Sequence, residues 1–306
     1  MARSTWTQVR DYFDTNDLVF IGVGSTECHG RHNPLGTDTM APDAILSRVE
    51  ERDGSFLIAP TIPYGATDDL VGYPGTISLG VDGLCDVLTS ITDQLYDYGA
   101  RRFVFLNGHG GNVKSLTTCA MELNDMGCIA SVVNWWRIAP QLDPAWGGGH
   151  GGAMETSANL AIDSESVDLS QVTDEDLLAD VGSDMPSVGW CSVRYDGVDV
   201  DLPRRLSRFA SSGWVAEGFD DHPRKASAEI GRAMLDGTSA WLIGFAHGEV
   251  LEDAILGGVL GCVLVTCQHH RLPDSDSLVS SPIDLESEYR EGRGRGRQYS
   301  RRSDKL

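Results

Sequence analysis

Glu27 and His29 stand two residues apart in the run Gly24-Ser25-Thr26-Glu27-Cys28-His29-Gly30-Arg31-His32-Asn33-Pro34-Leu35-Gly36-Thr37-Asp38-Thr39. In extended chain that spacing sends both side chains to one side. A carboxylate and an imidazole converging there suit Zn²⁺ or a similar ion. A loop containing Gly and Pro then returns with Asp38, whose two oxygens can bridge two metals. Taken alone, a Glu-x-His pair has a plainer alternative: Glu27 in a surface ion pair and His29 in a loop hydrogen bond. Cys28 lies between the two, and the same alternation turns it away. It reads as a neutral side chain rather than a ligand or nucleophile.

A second cluster is Asn107-Gly108-His109-Gly110-Gly111-Asn112. Its glycines let backbone approach a ligand closely and adopt positive φ. No GK[ST] follows, so it is not a P-loop, and the G-x-G-x-x-G spacing of a dinucleotide site is missing here and at Gly22-Val23-Gly24. The alternative is a Gly-rich turn with a hydrogen-bonded His. The third cluster is Trp146-Gly147-Gly148-Gly149-His150-Gly151-Gly152-Ala153-Met154-Glu155-Thr156-Ser157. His150 rides a Gly-rich segment and can reach a substrate. Glu155 falls in the first turn of an expected helix, where it serves either chemistry or a cap.

Each cluster follows an apolar run that reads as a strand: Leu18–Val23, Phe103–Leu106 and Ile129–Asn134, with Phe56–Pro60 as a fourth. Helical patterns cover Ala41–Glu51, Val81–Tyr98, Val113–Met126, Ala153–Ile162 and Arg224 to about His247. Asn112 is placed as an N-cap and Gly127 as the residue past a helix end. The alternation predicts an α/β fold with a mostly parallel sheet covered on both faces. In such sheets, ligand sites gather beyond the carboxyl ends of the strands, where all three clusters lie.

The chain has 306 residues, 24 basic and 45 acidic, for a net charge of −21, and only three of its basic residues are lysines. That balance disfavours nucleic acid and anionic membranes as partners, and it suits concentrated salt, where self-repulsion is screened. An ordinary acidic cytoplasmic enzyme is the alternative. Seven scattered cysteines with no CxxC argue for a reducing, cytoplasmic setting. The N-terminus lacks the apolar core of a signal peptide. Residues 1–250 read as the functional domain. Residues 251–270 form an apolar, Gly-containing segment too short to span a bilayer comfortably. Residues 271–306 carry 8 basic and 7 acidic residues, against 16 and 38 in residues 1–270. The Gly/Arg run at 290–302 reads as an unstructured terminus in preference to an RNA-binding tail.

Together the patterns G-S-x-E-x-H-G-x-H-x-P-L-G-T-D, N-G-H-G-G-N and H-G-G-x-x-E-T-S resemble the signature of the creatininase family. Pro63-Tyr64-Gly65 and Tyr73-Pro74-Gly75-Thr76-Ile77 resemble two further segments of it. The resemblance covers about residues 15–165. It implies a three-layer αβα sandwich, often in a homo-hexamer, and a two-metal centre holding Zn²⁺ or Mn²⁺, with Fe²⁺ as a further option. It also implies that Glu27, Asp38 and His109 hold one ion, and that His29, Asp38 and an acid hold the other. Creatininase takes that acid from two residues past the Asn-Gly-His histidine. Gly111 stands there in this chain, which makes Glu155 the candidate. Leu70 departs too, standing where many members carry a His. On this reading His150 is the general acid/base, and Trp146 and Tyr64 contact a small amide substrate. Implied activities are amide hydrolysis of the creatininase type, deformylation of a formylaminopyrimidine nucleotide, or trimming of a cofactor-precursor peptide. A metal-loaded binding protein without activity is the alternative outside enzymes.

Overall fold

The computed structural model describes residues 1–173, 184–188, 191–208, 210–215 and 220–248. The apolar 251–270 segment and the 271–306 tail therefore lie outside the described residues. Four strands, β1 (Leu18–Val23), β2 (Leu57–Ile62), β3 (Arg102–Asn107) and β4 (Ile129–Asn134), form one parallel sheet in the order β2-β1-β3-β4. β1 and β3 are central. They read as near-continuous apolar runs, as strands buried on both faces must.

Alternate residues of the strands feed two cores. Leu18, Phe20, Val104, Leu106 and Val133 meet α2 (Thr37–Arg52), α5 (Trp135–Leu142), α6 (Ala153–Ile162) and α7 (Ala228–Ala246). Val19, Ile21, Val23, Phe103 and Phe105 point the other way, to α3 (Gly80–Tyr98) and α4 (Val113–Asp125), with α1 (Trp6–Phe13) at the edge. This is a three-layer αβα sandwich. A short antiparallel hairpin, β5 (Ser192–Tyr195) and β6 (Val198–Asp201), turns at Asp196-Gly197, both in left-handed conformation as a two-residue hairpin turn requires. No helix of the described residues is long and apolar enough to cross a membrane.

Several details differ from the sequence reading. α2 begins at Thr37, four residues before the expected Ala41, so Asp38 sits in the first turn of a helix and not on a returning loop. The cause is close approach. A Cβ at Gly24 would lie 2.7 Å from the Thr39 Cα, and one at Gly108 would lie 1.9 Å from the Asp38 carbonyl oxygen. Only glycines at the ends of β1 and β3 admit the N-terminus of α2. Asn112 is helical and does not cap α4 with its side chain. Its amide instead joins two other loops, donating to the Gly24 carbonyl and accepting from Ala66 N–H, each at 2.9 Å. Gly127 does end α4 in the left-handed region. α7 begins at Ala228 rather than Arg224, after a Ser227 side-chain cap.

Candidate metal centre

Glu27, His29, Asp38, His109, His150 and Glu155 come together beyond the carboxyl ends of β1 and β3. Asp38 is central and divides its two oxygens. Oδ1 lies 2.9 Å from His29 Nε2, and Oδ2 lies 3.2 Å from His109 Nδ1. On one side Glu27 Oε1 lies 3.1 Å from His109 Nδ1. On the other, Glu155 Oε2 lies 3.6 Å from His29 Nε2. Two ligand-competent triads result, Glu27–Asp38–His109 and His29–Asp38–Glu155, and Glu27, His29 and His150 make a third possible set.

Each imidazole is tethered through its other nitrogen to a backbone carbonyl. His29 Nδ1 lies 3.2 Å from Glu27 O, His109 Nε2 3.1 Å from Ala66 O, and His150 Nε2 2.7 Å from Cys28 O. A carbonyl only accepts, so the tethered nitrogen carries the hydrogen. In the neutral ring, the form that binds a metal, the nitrogen facing the carboxylates is then the lone pair, the arrangement that orients metal-ligating histidines. Ser25 Oγ donates to Glu27 Oε2 at 2.8 Å and fixes that carboxylate.

The donor set suits divalent cations. Glu27 Oε1, His29 Nε2 and Asp38 Oδ2 are buried without hydrogen-bond partners, a costly state for three polar atoms unless a cation joins them. The electrostatics agree. Burial opposes charge on His29, yet Asp38, Glu155 and Glu27 raise it to about 10. Burial likewise opposes charge on His109, and Glu27 and Asp38 hold it well above its usual value. Asp38 resists its own burial because both imidazoles keep its carboxyl well below the usual range. Burial pushes Glu155 up to about 8, with Asp38 adding to it against the pull of His29. A cage that pulls protons onto two imidazoles marks where a positive ion belongs.

Glu155 is placed for either of its two readings. Its Oε2 accepts the Gly151 N–H at 2.7 Å, an N-terminal helix contact, while facing His29. His150 lies against His29, with ring centroids 4.3 Å apart and the planes tilted by 32°, and its Nδ1 lies 3.8 Å from Glu27 Oε1. Burial, together with the charge on His29, lowers it to about 3, so it is neutral. Cys28 points elsewhere, its Sγ 3.8 Å from the carbonyls of Gly30 and Gly213, and burial pushes the thiol up to about 11. Position 111 has no room for a side chain: a Cβ there would lie 2.1 Å from the Ala66 carbonyl that tethers His109. Leu70 is packed with Leu206, Ala210 and Val215, so apolar surface fills that departure.

The two expected substrate contacts are not among the ligand-competent groups. Tyr64 is exposed, and Trp146 turns its ring to α7, where a Cβ at Gly237 would come within 2.7 Å of it. The sequence reading also missed a buried polar net. His32 Nε2 lies 2.9 Å from the Gly151 carbonyl and 3.1 Å from Thr156 Oγ1. Asn33 donates to Thr156 Oγ1, and Asn159 donates to Asn33 Oδ1 and Thr37 Oγ1. His32 stood inside the first motif, and its spacing from Glu27 and His29 was the available signal.

The sequence model of the family described as "Creatininase: Creatinine amidohydrolase" matches residues 2–246. The mycofactocin precursor peptide peptidase of Mycolicibacterium smegmatis is 37% identical over 163 residues, which cover 52% of this chain and 61% of that protein. The chain thus matches less than two thirds of that relative's length. The creatinine amidohydrolase of Pseudomonas putida is 32% identical over 193 residues, covering 56% of this chain and 74% of that protein. Solved creatininases in a manganese form and a Zn–Zn form superpose with TM-scores of 0.63 and 0.62 at 27% identity, covering 80% of this chain and 96% of theirs.

Proposed function

The chain belongs to the creatininase family, and on that footing we propose that it is a metal-dependent hydrolase of an amide C–N bond. The observation that carries this reading is the division of the Asp38 carboxylate between two triads, each with its own imidazole. Glu27, Asp38 and His109 would hold one divalent ion; His29, Asp38 and Glu155 would hold the other. Zinc and manganese suit carboxylate and imidazole donors, with ferrous iron as a third option. When bound, such ions supply Lewis acidity and a water acidic enough to ionise near neutral pH.

The protein's own groups do the rest. Glu27 is fixed by Ser25, and the carbonyl tethers hold all three imidazoles in one orientation, so little reorganisation is left for the reaction. Cys28 O keeps the hydrogen of His150 on Nε2. Its Nδ1, on the side of Glu27, is then the nitrogen that takes a proton from the attacking water and returns it to the departing nitrogen as the C–N bond breaks. Water adds across that bond, giving a carboxylate and an amine. Tyr64 keeps its proposed role as a substrate contact. Gly111 leaves no place for the acid that creatininase carries there, so creatinine is not singled out among cyclic amides, formamides and short peptides. The 37% identity to a precursor-peptide peptidase favours including peptides.

We further propose residues 1–250 as the functional domain of a soluble, cytoplasmic protein adapted to high salt, on the charge balance and cysteine usage, and a homo-oligomer on the family resemblance. The decisive experiment loads the protein with Mn²⁺ or Zn²⁺. It then follows product from creatinine, a formylaminopyrimidine nucleotide and short peptides, at low and high salt. Metal-dependent formation of a ring-opened carboxylate, a free amine or formate supports the reading. A folded, metal-loaded protein inert to all three classes would leave a metal-binding protein without hydrolase activity.

A further inference from the structure

Asp221 lies between β6 and α7, far in sequence from every motif, and it is 4% exposed. Its Oδ2 accepts the Gly149 N–H at 2.7 Å, and its Oδ1 accepts the Met154 N–H at 3.0 Å. Its own carbonyl accepts the Ala153 N–H at 3.0 Å. One residue thus grips the Gly-rich segment on both sides of His150 and immediately before Glu155. The fit is close. A Cβ at Gly148 would come 2.5 Å from Asp221 Oδ2, and one at Gly152 would come 1.8 Å from it. Those two glycines are spaces that the carboxylate fills.

The grip supplies what the segment cannot supply itself. The residue at the N-cap of α6 is Gly152, which makes no side-chain cap. The first N–H groups of the helix would be orphaned in a buried place. Asp221 receives two of them from a distance, with a charge the helix dipole favours. Burial pushes its carboxyl up to about 6, against the backbone N–H groups of Gly149 and Met154, so it remains mostly ionised at neutral pH.

We infer that Asp221 is the positioning residue of this centre: its carboxylate spans Gly149 to Met154 and thereby aims His150 and Glu155 at Asp38 and His29. It touches neither substrate nor any proposed ligand, and it acts only through the backbone it holds. The inference rests on the reading of His150 and Glu155 as members of the site.

Asp221→Asn tests it with little change of volume. The amide keeps one acceptor but sets its NH₂ against a backbone N–H. Its neighbour Asp220→Asn is the control, since that side chain is 92% exposed and, among the described residues, pairs with Lys225 on the surface. Amide hydrogen exchange over 147–156, thermal melting, and titration with Co²⁺ followed by its visible absorbance are read on full-length protein. The expected result for Asp221→Asn is faster exchange in 147–156 and a melting temperature within a few degrees of the parent. Affinity for one of two Co²⁺ equivalents should fall about 10–100-fold, the usual scale for groups that support a ligand. Asp220→Asn should match the parent throughout. Unchanged exchange in Asp221→Asn overturns the inference. So does faster exchange with both Co²⁺ equivalents bound as in the parent, because the contact would then hold backbone without setting the site. Parent protein that takes up no Co²⁺ would sink the metal reading by itself, before any variant is made; exchange then still decides whether Asp221 holds the segment.

Discussion

The two sides of the centre are built differently. Glu27, Asp38 and His109 leave the ends of the two central strands and the helix packed against them. Their support is the sheet itself, with α2 pressed onto Gly24 and Gly108. His150 and Glu155 come from a Gly-rich segment that the sheet does not hold. Separate parts fix it: Asp221 on the Gly149 and Met154 N–H groups, His32 on the Gly151 carbonyl, and Val215 N–H on the His150 carbonyl at 2.8 Å. One half is placed by the fold and the other by side chains and loop backbone that arrive from elsewhere. Substitutions in the first half should remove function outright. Those in the second should grade it.

Asp38→Ala tests the shared point and should have the largest effect. Both ions should be lost, and turnover with them, which metal analysis and the product assay would read together. Retention of either ion would break the account of Asp38 as common to both triads. Glu155→Gln should separate the halves. One equivalent should remain bound while activity falls about 10²–10³-fold, the scale of losing one organised catalytic interaction. Two equivalents retained in that variant would return Glu155 to a capping role alone.

His32 offers a pH test of the segment's support. Burial lowers it to about 4, against 6.5 for a free imidazole. The folded state thus favours the neutral ring. The stability it contributes is complete above about pH 6.5. It is lost as pH falls toward 4, where the folded protein also takes up the proton. The full difference is at most about 3 kcal/mol. His32→Gln should flatten the slope of denaturant stability against pH between 6.5 and 4, and an unchanged slope would remove His32 from the account. Gly111→Ala probes the sheet-anchored half. Its methyl must displace the Ala66 carbonyl, so a loss of about 1–3 kcal/mol is expected, together with weaker binding of the His109-held ion. A neutral outcome would mean that the His109 tether is not tight. The smallest effect is general: melting temperature should rise by some degrees from low to molar KCl, as screening relieves the net charge of −21.

Sequence legibility followed the same division. β1 and β4 are legible to the residue because their runs are short, apolar and bounded by turn residues. The convergence of Glu27, His29 and His109 follows from the rule that sites lie beyond parallel strand ends. The start of α2 was misplaced because Thr37 and Asp38 look like loop residues until packing against two glycines brings them into the helix. α5 escaped notice because Pro140 interrupts its pattern, and α1 despite a Thr5–Gln8 capping box that marks its start. Asp221 could not be found from sequence. Its meaning depends on a contact across about seventy residues, and a single Asp in an acidic loop carries no local signal.

The divided carboxylate of Asp38 has one more consequence. Under the proposed reading, each ion would fix the plane of that carboxylate for the other, and each would relieve the protons crowded onto the neighbouring imidazole. The two occupancies are then thermodynamically linked, and linkage is reciprocal: whatever the first ion gains from the second, the second gains from the first. Metal uptake should therefore be cooperative and proton-releasing, tightening as pH rises. Half-loaded parent protein should be scarce, whereas a variant that lacks a ligand to one ion loses that linkage and holds the remaining ion more weakly than the parent does.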